Sequence, residues 1–503
     1  MSVLRYFARN SLVRLGAFGV ALVATFIITP HMLRCLGKVN YGAWAFVSSL
    51  ASYYLMLDLG MLQALSKHMA ALRENGSPQQ RNILFANSLF MNGAACLLAL
   101  LGGVVVSLFI DDITRHAVSK KVLLACFGLF TLSMAVQLLC RTFYGLLVAQ
   151  MRWILIACLH MVKTLAVSLA IFFQVSQTLD ADANLIRVAI IVSSGNILES
   201  LCMIALSLKN ENLHFALRSV NTAEIKKLLR FGFPVLVVSL GDFLRNNSQF
   251  FFVSAMLGLA QTTMFSLARQ FINYTTNIML NAFGILSPYF SRLDARKDGE
   301  GIRQSLLEAL KLSYSTAAYL GLCLIFYSAP FLVMWLGPQF ADVHAILLPM
   351  AVSSILSLGQ DPANGYLYGV GRHSIIAVYG LGEGIFNAAA CIPALLLFGL
   401  PGIGWTLLAG TVVVRLWLLP PRICAACGLA LSRYYLVVAA AIIPQCLGQG
   451  LFYLAVRSWL DSGYLYLFLA CAGQAVVAVA VFCAVSLAGG LAAPGRSNVE
   501  VEP

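Results

Sequence analysis

Apolar runs, each near twenty residues long, follow one another along almost the whole of this chain. A run of about 20 apolar residues crosses a bilayer as a helix, because in hydrocarbon a helix satisfies its own backbone groups. Composition closes off the soluble alternative. The chain is 60% hydrophobic and 11% charged, where a soluble domain carries about 25% charge. The expected fold is an all-α polytopic membrane protein of about fourteen transmembrane helices. The spans fall near residues 12–34, 41–64, 82–110, 120–140, 153–174, 185–208, 231–257, 259–290, 306–336, 342–369, 374–398, 402–420, 435–456 and 463–486. No connection among them is long enough for a separate soluble catalytic domain.

The N-terminal SVLRYFARNSLVRLG is basic and amphipathic. The run after it ends at Thr29-Pro30-His31 with no small-residue cleavage site, so it reads as an interfacial lead into the first span rather than a removed signal. The net charge of +13 is read as a topology signal and not as nucleic-acid binding, since Lys and Arg in short loops favour the cytoplasm. With the N-terminus inside, roughly two-thirds of the 33 Lys and Arg lie at cytoplasmic ends. Arg5, Arg9, Lys67, Arg73, Lys226, Lys227, Arg292 and Arg303 are among them. Arg34, Lys38, Arg115, Lys120, Lys121, Arg187 and Arg457 fall outside. Both termini are therefore expected in the cytoplasm. The thirteen cysteines are scattered singly, apart from Cys424 and Cys427. That CxxC has no second pair and no nearby histidines, so no metal site is expected.

The sharpest fall in hydrophobicity is the stretch 209–230, which reads as a cytoplasmic linker. It separates a six-helix half, 1–208, from a second, 231–420; a helix pair, 421–490, and a tail, 491–503, follow. Arg9 precedes Gly37 by the spacing that separates Arg230 from Gly258, and both glycines end a helix in Leu-Gly. An even number of spans per half fits parallel repeats related by an axis along the membrane normal.

Binding chemistry is sought where polar groups enter the bilayer at a cost. A charge at mid-membrane costs roughly 2.5 to 3.5 kcal/mol on insertion scales. In the seventh span Asp242 and Arg245 share a helical face, followed by Asn246. In the eighth, Arg269, Gln270, Asn273, Asn277 and Asn281 recur at spacings of three and four, which makes one polar stripe. Two arrangements fit these residues: internal pairs and bridges, or a cationic, wet surface for an anionic ligand. The excess of arginine favours the second, since guanidinium binds phosphate in a bidentate manner. Arg14, Lys163 and Arg415 would add to the same field, unless Lys163 and Arg415 pair with Glu199 or Glu383. Asp242, Glu383 and Glu199 are the candidate carriers of a coupling ion, H+ or Na+. No other cofactor is expected, and no Walker sequence points to ATP.

The segment LGKVNYGAWAFVSSLASYYLMLDLGMLQALSKHMA, Leu36 to Ala70, resembles the polysaccharide transporter family of the multidrug/oligosaccharidyl-lipid/polysaccharide flippase superfamily. The shared pieces are Leu36-Gly37, Tyr41-Gly42, the Leu-Asp-Leu-Gly of residues 57–60, and Lys67. LLRFGFPVLV, SPYFSRLDARKD and YLYGVGR follow in order. The resemblance implies a MATE-like fold of two six-helix bundles around a cavity that opens alternately to each side. It further implies the Wzx type of flippase, which carries a polyprenyl-diphosphate-linked oligosaccharide from the cytoplasmic to the outer leaflet of the bacterial inner membrane, for O-antigen or capsule synthesis. A polysaccharide polymerase and a chain-length regulator would be its partners, beside membrane lipids.

The nearest alternatives are a drug or cation antiporter of the same superfamily and a peptidoglycan-precursor flippase. The antiporter is expected to have twelve spans and an acidic cavity. A membrane glycosyltransferase or polymerase would need acidic catalytic residues on a sizeable outer loop, and DDITRH at 111–116 and the acids Asp180 and Asp182 sit in short ones. No enzymatic activity is expected.

Overall fold

The computed structural model describes residues 3–209, 219–284 and 286–491, and among these it contains helices and no strand. The helices are α1 Val3–Met56, α2 Met61–Asn75, α3 Pro78–Ile113, α4 Lys120–Ala149, α5 Trp153–Gln174, α6 Ala181–Leu208, α7 Thr222–Asn246, α8 Ser248–Leu257 and α9 Leu259–Phe283. They continue with α10 Leu286–Ala295, α11 Gly299–Leu336, α12 Val343–Gly359, α13 Asp361–Gly369, α14 His373–Phe398, α15 Pro401–Thr411, α16 Leu419–Cys427, α17 Leu431–Val456 and α18 Tyr464–Leu491. A π-helical stretch, Val412–Leu418, joins α15 to α16.

Eleven helical segments among the described residues are long and apolar enough to cross a membrane. The chain is a multi-pass membrane protein, and the count of fourteen is not reached by this criterion. The difference lies in three spans. Residues 41–64 begin inside α1, which runs on through a bend at Gly37. Residues 231–257 are broken between α7 and α8 at Asn247. Residues 259–290 divide into α9 and α10, and the polar stripe lowers the hydropathy of α9. Burial separates lipid-facing from enclosed helices. The span Trp153–Gln174 is 11% buried and Val343–Gly369 is 61% buried. Its apolar outer surface identifies the first as a helix whose solvent is hydrocarbon.

By contacts the chain forms two compact units, Met1–Leu267 with Gly380–Ile403, and Ala268–Tyr379 with Gly404–Pro503. In the first, Met61, Leu65, Met69, Leu84, Phe85, Phe143 and Leu146 build a core that also buries Leu228 of α7. Ser77 caps α3 in a capping box with Gln80, and Pro78 occupies the first turn, where its missing N–H costs nothing. The LDLG turn ends α1 and starts α2. The Asp58 carbonyl accepts from Met61 N at 2.8 Å and its carboxylate from Leu62 N at 3.3 Å, while Arg141 of α4 lies 3.1 Å from the same carboxylate.

The internal echo of the sequence has a structural counterpart within this first unit. Gly37 has φ 72° and ψ 174°, and Gly258 has φ 85° and ψ 173°. This backbone region is almost exclusive to glycine, so both corners turn through the same conformation for the same reason. Five residues after each corner stand Gly42 and Thr263. Thr263 Oγ1 donates to the Lys38 carbonyl, and a Cβ on Gly42 would overlap the Leu259 carbonyl. Lys38 and Leu259 are themselves equivalent positions. The two corners thus touch reciprocally, as a two-fold relation requires.

The second unit is centred on Phe290, Leu306, Leu310, Tyr314, Tyr366, Leu419, Ile423 and Tyr434. Its α17 and α18 are tied by three buried glutamines. Gln449 Nε2 donates to Gln445 Oε1 at 2.7 Å, Gln474 Nε2 to Gln449 Oε1 at 2.6 Å, and Gln445 Nε2 to the Ala478 carbonyl at 2.9 Å.

Candidate functional site

In the first unit α14 reaches α7 through glycine. A Cβ at Gly241 would stand 2.8 Å from the Gly380 carbonyl carbon, and one at Gly384 would stand 2.6 Å from the Gly241 carbonyl oxygen. Gly380 and Gly384 form a G-x-x-x-G on α14, the pattern that lets membrane helices approach backbone to backbone. The approach brings Glu383, fully buried, to Arg245, with Oε2 3.6 Å from Nη1. Arg245 Nη2 also lies 3.0 Å from Asp242 Oδ1, and Asp242 is more than half exposed. One guanidinium therefore stands between a buried and an open carboxylate. Asn246 is half-buried beside it on the last turn of α7.

One turn beyond Glu383 lies Asn387, a residue the sequence reading missed. Its side chain is fully buried, and neither its amide nitrogen nor its oxygen has a hydrogen-bond partner among the described residues. A buried amide without a partner costs about 1 to 3 kcal/mol, and this one sits on α14 one turn from the Glu383–Arg245 contact. The i, i+4 spacing from Glu383 is the signal that could have found it.

A second cluster in the same unit joins α5 to α6. Lys163 Nζ lies 2.8 Å from Glu199 Oε2 and 3.4 Å from Asn196 Oδ1; His160 Nδ1 lies 3.1 Å from Glu199 Oε1. Lys163 and Glu199 are thus partners, the cross-helix pairing weighed from sequence. His160 and Asn196 were missed, although each sits three residues from a named charge. The apolar stem of Lys163 packs against Gly195, with Cγ 3.7 Å from where a Cβ would stand, while its ammonium reaches the carboxylate.

In the second unit the polar residues of α9 are hydrogen-bonded along the helix. Asn277 Nδ2 donates to the Asn273 carbonyl at 2.8 Å, Asn281 Nδ2 to the Asn277 carbonyl at 2.9 Å, and Gln270 Nε2 to the Tyr274 hydroxyl at 2.6 Å. Asn273 and Asn277 are exposed, while Arg269 and Gln270 are half-buried. The amide donors of Gln270, Asn277 and Asn281 are thus occupied within the helix. Arg415 stands elsewhere, buried in the π-helical stretch. A π turn shifts carbonyls off the helical register, and side chains of other helices meet them. Gln360 Nε2 donates to the Arg415 carbonyl at 3.0 Å and Tyr435 Oη to the Leu416 carbonyl at 2.6 Å. The side chain of Arg14 lies outside the described residues. No group of three or more His, Cys, Asp or Glu that could hold a metal occurs among the described residues.

A family model described as "Polysaccharide biosynthesis protein" matches residues 7–294. No curated protein matches the sequence. Among solved structures, the chain is similar to a lipid II flippase, MurJ, in an inward closed conformation, with TM-score 0.69 and 13% identity over 95% of this chain and 98% of that one. An inward-facing multidrug resistance MATE family transporter of the MOP superfamily gives TM-score 0.64 and 14% identity over 82% and 98%. The Vibrio cholerae MATE transporter VcmN in the bent form gives 0.56 and 14% over 87% and 98%. At 13–14% identity, these TM-scores show a shared fold and nothing further.

Proposed function

We propose that this chain, which belongs to the polysaccharide biosynthesis protein family, carries a polyprenyl-diphosphate-linked oligosaccharide from the cytoplasmic to the outer leaflet of a bacterial inner membrane. The observation that carries the reading is the α9 stripe. Asn273 and Asn277 are exposed on α9, the helix that the run pattern of the sequence makes the eighth span. Polar groups do not face hydrocarbon without cost, so such a surface adjoins water or a polar ligand. A sugar head group, dense in hydroxyls, exchanges its hydrogen bonds with water for bonds to these amides. Arg245 and Arg269 carry the kind of charge that a diphosphate calls for. Glu383 and Asp242 flank Arg245, and Glu199 pairs with Lys163. A proton or Na+ exchanging at such carboxylates would couple transport to an ion gradient.

The test is a deletion strain that accumulates lipid-linked oligosaccharide on the inner leaflet. Wild-type chain restores surface glycan; Arg245→Ala or Arg269→Ala, present at normal abundance, does not. Normal glycan display by both variants rejects the assignment. A lipid II flippase has the same fold, so the second arm asks whether the chain relieves loss of peptidoglycan-precursor export. Relief there without restored surface glycan would move the substrate to the precursor.

A further inference from the structure

At the start of α7 a groove of about 490 Å3 opens against the LDLG turn, lined by Leu59, Lys226, Leu229, Arg230, Phe233 and Leu236. The sequence places two different surfaces on this helix. Leu228 points the other way and is fully buried in the core with Met61 and Leu65. Lys226 and Arg230, four residues apart, are exposed on the groove side, and Phe233 is 64% exposed just beyond them. Side chains at this spacing share a face. Neither Lys226 nor Arg230 makes an ion pair with another described residue, whereas their neighbour Lys227 lies 3.5 Å from Glu224.

The wall of the groove is almost wholly apolar, so Lys226 and Arg230 line it with their alkyl stems while their charges stand exposed beside it. From Arg230 to Leu236 the helix rises about 9 Å at 1.5 Å per residue. The cationic ends are exposed, and Leu59, Leu229, Phe233 and Leu236 supply the apolar lining. A soluble anion would leave the exposed phenylalanine unexplained, and an apolar peptide would leave both cations without a counter-charge. An amphiphile with an anionic head satisfies both ends. The surroundings reinforce the sign: Lys67 and Lys227 both act on nearby His68, against Glu224. Basic groups at the membrane boundary attract anionic lipid by about 1 kcal/mol each.

We propose that this groove holds an anionic phospholipid, its phosphate between Lys226 and Arg230 and its upper acyl carbons on Leu59, Leu229, Phe233 and Leu236. The occupant spans the LDLG turn and α7, and so fastens the second repeat's first helix to the first repeat by lipid as well as by Leu228. One phosphodiester matches two cations a turn apart, and bulk anionic phospholipid is the ligand of that kind a bilayer presents in excess. The site does not depend on what the chain transports.

The full-length chain is reconstituted in nanodiscs of phosphatidylcholine with increasing phosphatidylglycerol. Retained phosphatidylglycerol is counted by native mass spectrometry, and the melting temperature is followed in parallel. Wild type retains phosphatidylglycerol and melts higher as its fraction rises. The Lys226→Gln/Arg230→Gln variant binds roughly thirtyfold more weakly, from two lost charges at the surface. Phe233→Ser weakens binding too, which separates the groove from diffuse surface attraction. Lys227→Gln leaves binding unchanged, and Lys226→Arg/Arg230→Lys retains it, which shows that loss in the first variant is not misfolding. Equal retention by wild type and the double glutamine variant overturns the proposal. Preferential retention of polyprenyl diphosphate over phosphatidylglycerol also overturns it, because the groove would then belong to a diphosphate lipid.

Discussion

For single residues, the membrane interior turns each charge into a pairing problem. Asp58 is nearly fully buried, and Arg141 answers it at 3.1 Å. Removing one partner strands the other, and breaking a buried pair costs about 3 to 5 kcal/mol. Arg141→Met is expected to lower the stability of the detergent-purified chain by about that amount, while Asp58→Asn/Arg141→Met recovers most of it. A thermal or denaturant titration of the two variants checks this; equal losses would show that the pair is not coupled. Arg245 poses the same problem with two carboxylates. Here the sequence showed the i, i+3 pair with Asp242 and left the partner of Glu383 open. Lys163 with Glu199 was one of the pairings considered. Asn387 was legible only as an i, i+4 neighbour of Glu383; its burial and lack of partners belong to the packing.

Between elements, glycine decides where helices bend and how closely they meet. Gly37 and Gly258 hold the same positive-φ corner. Gly258→Ala is expected to cost about 1 to 3 kcal/mol through backbone strain alone. Its melting temperature, set beside that of Gly16→Ala, a helical position with open space around its Cβ, measures the effect. On α14, a side chain at Gly384 meets α7 backbone. Gly384→Leu would force the helices apart, with overpacking worth about 1 to 3 kcal/mol. It also separates Glu383 from Arg245, so transport is expected to fall further than stability does; a matched loss of both would argue against a role for that pair. In the C-terminal pair, Gln449 bonds to both Gln445 and Gln474. Gln449→Leu leaves two buried amides short of partners, at about 1 to 3 kcal/mol each, and differential hydrogen exchange of α17 and α18 would report the loosening. The spacing of Leu-Gly corners was visible in the sequence, as was the stripe of α9. The π-helical stretch around Arg415 was not, because nothing in VVVRLWL breaks the helical pattern.

For the chain taken whole, the corners offer a direct probe of motion. Gly42 and Thr263 occupy equivalent positions, and each lies against the other corner's first residue. If transport requires these corners to part, a disulfide engineered between Lys38→Cys and Thr263→Cys should abolish surface glycan in oxidant and restore it in reductant. Undiminished export with the bond formed would place the moving parts elsewhere.

Hydropathy and run length are enough to make this a helical membrane protein, because they act on each run independently of every other run. The order of residues also locates the polar groups that must be accounted for, and its motifs lead to the family. Which of those groups meet is a matter of packing. Arg245 finds Glu383 from a helix more than a hundred positions away in the chain, and only because glycines at 241 and 384 leave the backbones room to touch. Such pairings depend on contacts between distant segments, and no local pattern encodes them.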